Sequence, residues 1–190
     1  MSDFNKIFFL IGVAVILSIA LFFQIKAGGN AEEASLPKSY QNQKIGYVLS
    51  IPPGWYPHEV SDKQTIFTPS EKFTLPEGTE GYAVGRQMVV AKGSFNDIIG
   101  AGTFEDYLRG IGATPSGEFF VERRNVVTRT GIPMTRILMN AVTADGQTLT
   151  YAYHFGGRDV YLISHHPYVP ETNDAKAFDA FVQSFALFGD

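Results

Sequence analysis

The sequence predicts an α+β protein in which an N-terminal transmembrane helix is followed by a three-layer α-β-α sandwich with a central antiparallel sheet. Three observations predict this class. One long apolar run lies near the N-terminus, short alternating strands separated by turn signals fill most of the remainder, and two segments carry helical periodicity. With 190 residues and 45% hydrophobic content, the chain suits one membrane segment and one globular domain.

Residues 1–26 are predicted to form a membrane anchor. Residues 7–25 read IFFLIGVAVILSIALFFQI, which is about the length needed to cross a hydrocarbon core of ~30 Å as a helix. A cleaved signal peptide is the alternative, but its apolar region usually has about 7–15 residues and ends in small residues. Here Phe-Gln-Ile-Lys precedes Ala27. A short N-terminal tail carrying Lys6 usually stays in the cytoplasm, so we expect an extracytoplasmic domain.

Residues 27–38, AGGNAEEASLPK, are small, polar and acidic, which is typical of a flexible tether. A coil of this length spans roughly 20 Å. The globular domain, residues 39–190, should therefore lie close to the bilayer. Confinement there raises its effective concentration for other membrane-bound molecules. The expected partners are the bilayer, through the anchor, and a membrane-associated protein.

Composition excludes several classes of function. The chain contains no cysteine, which excludes disulfides, thiolate metal ligands and a cysteine nucleophile. Its formal net charge of −4 offers no electrostatic footprint for a nucleic-acid backbone. The glycines between residues 93 and 112 do not match a phosphate-binding spacing. We therefore expect neither a nucleic-acid partner nor a cofactor.

The first half of the globular domain contains three strand candidates and one helix. The strand candidates are GYVLSIP (46–52), QTIFTP (64–69) and YAVGRQMVVAKG (82–93). Pro-Pro-Gly forces a turn after the first of these. The segment SEKFTLPEGTEG, residues 70–81, is a long loop between the other two. Thr103, with Asp106 three residues later, resembles a capping box and predicts a short helix over residues 103–113.

The second half is predicted to be a meander of four strands followed by a helix. The strands are GEFFVERRNVVTR (117–129), IPMTRILMNAVTA (132–144), QTLTYAYHF (147–155) and RDVYLISHH (158–166). Asn173 or Asp174 is expected to cap the final helix. That helix is predicted from the i, i+3, i+4, i+7 spacing of Phe178, Phe181, Val182 and Phe185.

Two turn signals predict the register of the meander. Asp145-Gly146 predicts a two-residue turn that places Val142 opposite Leu149. Gly156-Gly157 likewise places Tyr153 opposite Val160. Alternation then assigns one face to Leu138, Val142, Leu149, Tyr151, Tyr153, Val160 and Leu162, and the other to Ile137, Met139, Ala141, Ala152, Tyr161 and Ile163. Both faces are apolar, so each needs a cover, and this requirement predicts three layers.

Three of the four histidines lie between residues 149 and 168. In the predicted register His154 lies opposite Asp159 and His165 opposite Thr148, roughly 20 Å apart along the strands. A shared metal ion is excluded at that separation. His165 and His166 are adjacent and point to opposite faces while the strand lasts, although Pro167 is expected to end it. We interpret all three histidines as structural and predict no metal site.

Two other groups of residues invite a functional interpretation. Ser164 beside His165 suggests a hydrolase, but the Gly-x-Ser-x-Gly turn is absent from the sequence. Four arginines, Arg123, Arg124, Arg129 and Arg136, could bind an anion or acidic lipid headgroups. The favoured interpretation is a solvated strand edge with Glu118 and Glu122 as ion-pair partners.

The stretch SYQNQKIGYVLSIPPGWYPHE, together with the closing AFDAFVQSFAL, resembles the PsbP-like family, named for an extrinsic protein of the photosynthetic oxygen-evolving complex. The residues that carry the resemblance are Tyr40, Asn42, Gly46, Tyr47, Pro52, Gly54, Trp55, Ser184 and Phe185. The resemblance implies an α-β-α sandwich and a binding or assembly role without catalysis. With its anchor, the chain looks most like bacterial membrane-tethered relatives, so no photosystem role is carried over.

These observations predict a membrane-tethered extracytoplasmic binding or assembly module that is not an enzyme and has no catalytic residues. The long loop from Ser70 to Gly81 is the expected contact surface, with Phe73, Leu75 and Tyr82 as binding residues. The alternative is a hydrolase or other enzyme whose site is assembled from His58, Glu59 and residues 71–80. An enzyme of this kind requires those groups to converge in one cleft.

Overall fold

The computed structural model describes residues 37–74, 85–94, 102–140, 146–156 and 159–188. The chain divides into two units, Met1–Leu36 and Pro37–Asp190, and the described residues all belong to the second. The predicted anchor, residues 1–26, and nearly all of the predicted tether lie outside the described ranges. Within those ranges, no helix is long and apolar enough to cross a bilayer.

The described residues form ten strands and two helices. The strands are β1 Lys38–Asn42, β2 Tyr47–Ile51, β3 Tyr56–Glu59, β4 Gln64–Thr68, β5 Gln87–Ser94, β6 Phe120–Val127, β7 Pro133–Asn140, β8 Gln147–Phe155, β9 Asp159–Tyr168 and β10 Ala186–Leu187. The helices are α1 Phe104–Gly110 and α2 Asn173–Gln183. The α+β class is thereby confirmed.

Two antiparallel sheets organise the domain. The larger has seven strands in the order β3-β4-β5-β9-β8-β7-β6, and the smaller has three in the order β1-β2-β10. The predicted meander of four strands is confirmed as β6 to β9. The small sheet was not predicted, because β1 and β10 are short and β1 begins inside the predicted tether at Lys38.

Each face of the seven-stranded sheet carries its own apolar cluster. On one face, α1 contributes Tyr107 and Leu108, which pack against Ile137, Ala152 and Val160. On the other face, α2 and the small sheet cover the sheet together. This face carries the larger of the two apolar clusters. The small sheet contributes Tyr47 and Leu49 to it, and α2 contributes Phe178, Phe181 and Val182.

The register of the meander differs from the predicted one in two places. Leu149 lies opposite Leu138 rather than Val142. This displacement is four residues, and an even displacement leaves every side chain on its predicted face. Tyr153 lies opposite Tyr161 rather than Val160, because Phe155 pairs with Asp159 and leaves three residues in the connection instead of two. This one-residue slip moves all the side chains of β9 to the other face.

Helix boundaries depend on threonine caps. The Thr103 side chain accepts a hydrogen bond from the Asp106 amide, which confirms the predicted start of α1. At α2 the capping side chain belongs to Thr172, so the prediction of Asn173 or Asp174 is wrong by one or two residues. Strand β9 continues through Pro167 to Tyr168, so the prediction that Pro167 ends the strand is also wrong.

Candidate functional site

One end of the seven-stranded sheet holds both ends of the predicted binding loop. At this end Tyr56 of β3 pairs with Thr68 of β4, and Gln87 of β5 pairs with His166 of β9. The chain leaves β4 here and returns here to start β5. Of the predicted binding residues, Phe73 is described and half-buried, whereas Leu75 and Tyr82 lie outside the described residues.

The outgoing stem of the loop is held by His58. Its Nε2 lies 3.1 Å from the Thr68 hydroxyl and 3.1 Å from the Ser70 carbonyl oxygen. Because a carbonyl oxygen only accepts, Nε2 carries the proton and donates. The His58 ring also contacts the Phe73 ring, with centroids 4.9 Å apart. The stem therefore leaves β4 in a defined direction as far as Phe73.

The returning stem is held by Arg86, directly before β5. Its guanidinium makes a two-pronged ion pair with the carboxylate of Asp174, in the first turn of α2. The same guanidinium lies over the Trp55 ring, 5.4 Å from the ring centroid. A planar, forked cation suits both contacts at once, which a lysine could not reproduce.

His165 lies beneath this contact. Its side chain is 1% exposed, and its ring meets the Trp55 ring edge to face at 6.1 Å. Nδ1 lies 2.9 Å from the Gln87 carbonyl oxygen, while Nε2 is buried with no hydrogen-bond partner among the described residues. Burial lowers the pKa of this imidazole. We call Trp55, Arg86, His165 and Asp174 the stem site.

The alternative enzyme site does not assemble among the described residues. His58 and Glu59 are adjacent in β3, so their side chains leave opposite faces of the strand. Glu59 accepts a hydrogen bond from the Tyr40 hydroxyl at 3.0 Å and lies 3.6 Å from Lys44 Nζ. Burial, followed by the bond to Glu59, raises the pKa of Tyr40 to about 12, so this hydroxyl remains a donor. Glu71 is exposed.

The other histidines and Ser164 make separate contacts. The His154 ring stacks on Phe104, with centroids 4.6 Å apart. His166 Nδ1 lies 3.1 Å from the Thr148 hydroxyl, and the Ser164 hydroxyl lies 2.9 Å from that of Thr150. Within the described ranges, no group of three or more histidine or acidic side chains could hold a metal ion.

Three arginines of the β6–β7 hairpin, Arg123, Arg124 and Arg136, are engaged in ion pairs. Arg124 and Arg136 both contact Glu122, at 3.3 and 3.2 Å. Arg123 contacts Glu105 of α1 at 3.3 Å. Of the two predicted ion-pair partners, Glu118 and Glu122, the second is confirmed, for Arg124 and Arg136. Arg136 does not lie on a solvated edge as predicted, because its side chain is largely buried on β7.

Comparison with known proteins identifies the fold. No family model and no curated protein matches the chain. The solution structure of cyanobacterial PsbP (CyanoP) from Synechocystis sp. PCC 6803 is similar over 84% of this chain and 96% of that one, at 17% identity and a TM-score of 0.50. The domain therefore has a PsbP-like fold.

A crystal structure of a protein from Bacteroides thetaiotaomicron VPI-5482 also matches 80% of this chain, at 10% identity and a TM-score of 0.47. The chain covers 48% of that protein, or about half its length.

Residues that carried the family resemblance join the small sheet to the rest of the domain. The Asn42 amide nitrogen donates to the Thr65 hydroxyl at 3.0 Å, which links β1 to β4. The Ser184 hydroxyl accepts from the Ser50 amide at 2.8 Å, which links the end of α2 to β2. Phe185 is fully buried in the shared cluster. These side chains stabilise the fold, and of the resemblance residues only Trp55 belongs to the stem site.

Sequence reasoning missed the contact between Arg86 and Asp174, which are 88 positions apart in the chain. Neither residue stands in a motif, and a contact between distant segments leaves no local periodicity. One weak signal was present. A tryptophan directly after a Pro-Pro-Gly turn needs a partner for its ring, and an arginine beside a glycine at the start of a strand is a suitable one.

Proposed function

We propose that this chain is a membrane-tethered, PsbP-related extracytoplasmic module that binds a membrane-associated protein through the loop of residues 70–81, without chemistry of its own. The observation that carries the proposal is the fixation of both stems of that loop. His58 holds the outgoing stem, and Arg86, through Trp55 and Asp174, holds the returning one.

Fixed stems favour recognition for an energetic reason. Ordering a free loop on binding costs conformational entropy, and a loop whose ends are already placed loses less. Binding residues also concentrate on loops that a rigid scaffold presents. The stems of this loop are attached to β3, to the start of β5 and to α2. Strand β5 and helix α2 contribute to the larger apolar cluster, and β3 is paired with β4.

The ionisable groups around the loop support binding rather than catalysis. The Nε2 hydrogen of His58 is directed at two oxygens that position Ser70. Asp174 is paired with Arg86, and Glu59 with Tyr40 and Lys44. Each of these groups has a structural contact, and no nucleophile lies hydrogen-bonded to a free base among them. The structural likeness to CyanoP also supports a binding role rather than catalysis.

The predicted anchor supports a partner in the membrane. A helix over residues 7–25 and a tether of about 20 Å would confine the domain to a thin layer beside the bilayer. In such a layer even weak loop contacts with another membrane protein become appreciably populated.

A loop replacement tests the proposal. Residues 74–84 are exchanged for a Gly/Ser segment of equal length, which keeps Phe73 and Arg86, and residues 114–116 are exchanged for Gly/Ser as a matched control. Amine-reactive crosslinking in intact membranes should give a specific adduct with the native chain and the control, and none with the loop variant. Identical adducts from all three would contradict the loop assignment. Turnover of ester or phosphoester substrates by the purified chain would contradict the non-enzymatic part.

A further inference from the structure

Strand β6 forms a long open edge of the seven-stranded sheet. It has eight residues, contains no proline and pairs with β7 alone among the described strands. The opposite edge, β3, has four residues and contains Pro57, which cannot donate a hydrogen bond to a further strand. Two valines of β6, Val121 and Val127, are 40% and 66% exposed. Exposed apolar residues on an unpaired edge favour pairing with another strand.

The hydrogen-bond pattern shows which backbone groups of β6 point away from β7. The Thr128 amide donates to the Ile132 carbonyl at 3.0 Å, immediately after the last strand pair, Val127 with Pro133. In an antiparallel ladder, residues alternate between those whose amide and carbonyl face the partner and those whose groups face away. Because Thr128 faces β7, the backbone groups of Arg123, Asn125 and Val127 face outward. They are the groups that an added strand would bind.

The charges of β6 are self-complementary when a second copy is placed antiparallel with Arg123 at the centre. In that register Glu122 lies opposite Arg124 of the second copy, and Arg124 lies opposite its Glu122. The register of β6 shifts between Phe120 and Glu122, so the regular part of the pairing is centred on residues 122–124. Opposite charges across a strand pair stabilise it.

The two Arg123 side chains would face each other at the centre, and like charges there oppose pairing. Each of them is bound to a carboxylate of its own chain, Glu105, at 3.3 Å. That ion pair reduces the repulsion. Charged residues often protect an edge strand from pairing. The charges of β6 do not protect it from a second copy, because in the antiparallel register each of Glu122 and Arg124 meets a residue of opposite charge.

We propose that two copies of this chain associate through antiparallel pairing of their β6 strands, with Arg123 on the two-fold axis. The interface is isologous, since the same strand serves both copies. It would join two seven-stranded sheets into one continuous sheet. This surface is separate from the described stems of the binding loop, which belong to β4 and β5 near the opposite edge strand, β3.

The absence of native cysteine allows a direct test with the full chain in membranes. In the proposed dimer, the two Cα atoms at position 123 lie about 5.5 Å apart, within the range of a disulfide. Mild oxidation of Arg123→Cys should therefore give a covalent dimer on a non-reducing gel. The control is Val127→Cys, which is more exposed but lies about 27 Å from its counterpart in this register. Its dimer yield should be at least tenfold lower.

A charge reversal provides the second readout. In the Arg123→Cys chain, adding Arg124→Glu places Glu122 opposite a glutamate in both halves of the interface, and the dimer yield should fall roughly tenfold. Adding Arg129→Glu, the same charge change outside β6, should leave the yield unchanged. Equal yields from Arg123→Cys and Val127→Cys would overturn the proposal, because they would indicate random collision. A disulfide-free monomer, or an adduct with a different protein, would overturn it as well.

Discussion

The ring of His165 is bound to the main chain of Gln87, with Nδ1 2.9 Å from the Gln87 carbonyl oxygen. Nδ1 therefore carries the proton of the neutral ring. Nε2, the nitrogen that would accept a second proton, is buried without a partner among the described residues. Protonation would place a charge in a site formed by the rings of Trp55, Tyr168 and Phe178. This is why burial lowers the pKa of His165.

The lowered pKa of His165 predicts that the domain loses stability in mild acid. The unfolded chain takes up the proton near pH 6.5 and the folded chain only at lower pH, so the stabilisation is complete above about pH 6.5. It is lost as the pH falls from there toward the folded-state pKa, with a slope of up to about 1.4 kcal/mol per pH unit. Urea denaturation, followed by the fluorescence of the single tryptophan, Trp55, measures this.

His165→Phe should flatten that pH dependence, although its stability at pH 7.5 should be lower by about 1–2 kcal/mol because the Gln87 carbonyl loses its donor. His154→Gln, a change at the exposed histidine on Phe104, is the control and should retain the slope. If His165→Phe keeps the full pH dependence, another group is responsible.

The position of His165 also shows what sequence reasoning could and could not predict. Strands β2 and β4 to β9, with the meander, followed from alternation and turn residues, whereas the short strands β1, β3 and β10 did not. The face of β9 did not, because Gly156-Gly157 predicts a two-residue turn and the observed pairing of Phe155 with Asp159 leaves three. That single residue moves His165 opposite Leu149 and into the apolar cluster. The larger slip at β7–β8 had no such effect, since four residues are a whole number of alternations.

The stem site was beyond sequence reasoning for a different reason. Its four residues come from four separate segments: the turn before β3, the start of β5, β9 and α2. The segment between Trp55 and Arg86 has no periodic sequence pattern that would predict their contact. The histidine interpretation was closer to the structure. All three histidines make structural contacts, although the predicted partners Asp159 and Thr148 are replaced by Val160 and Leu149 in the register.

Gly46 predicts a measurable backbone effect. It adopts φ of +91°, and a Cβ at this position would lie 3.4 Å from the Tyr161 hydroxyl, which donates to the Ile45 carbonyl at 2.6 Å. Gly46→Ala should therefore destabilise the domain by about 1–2 kcal/mol through backbone strain alone. Gly102→Ala is the control, because its φ is ordinary and nothing lies near its Cβ. Equal unfolding midpoints for the two variants would contradict this expectation.

The Arg86 contact to Asp174 predicts an energetic coupling between the loop stem and α2. A double-mutant cycle with Arg86→Lys and Asp174→Asn should give a coupling of about 0.5–1 kcal/mol, since the pair is partly exposed but two-pronged. The exposed pair of Arg109 with Asp106 should couple more weakly when treated in the same way. Additive effects of Arg86→Lys and Asp174→Asn would show that the stem is not held by this pair.

The apolar run of residues 7–25 predicts that the mature protein retains residues 1–26. Membrane fractions should yield a full-length chain that detergent extracts and that high salt or carbonate does not. N-terminal sequencing of the extracted chain checks the prediction. A soluble product that begins near Ala27 or Gly28 would contradict it and would favour a cleaved signal peptide.

The most direct test of the binding account is site-specific photocrosslinking in intact membranes. A photoreactive amino acid replaces Phe73 at the outgoing stem of the loop, or Arg129 in the turn between β6 and β7 as the control. Position 73 should give one discrete adduct with a membrane protein, which disappears when residues 74–84 are replaced by Gly/Ser, and position 129 should not give it. The same adduct from both positions, or its persistence after the loop replacement, would contradict the account.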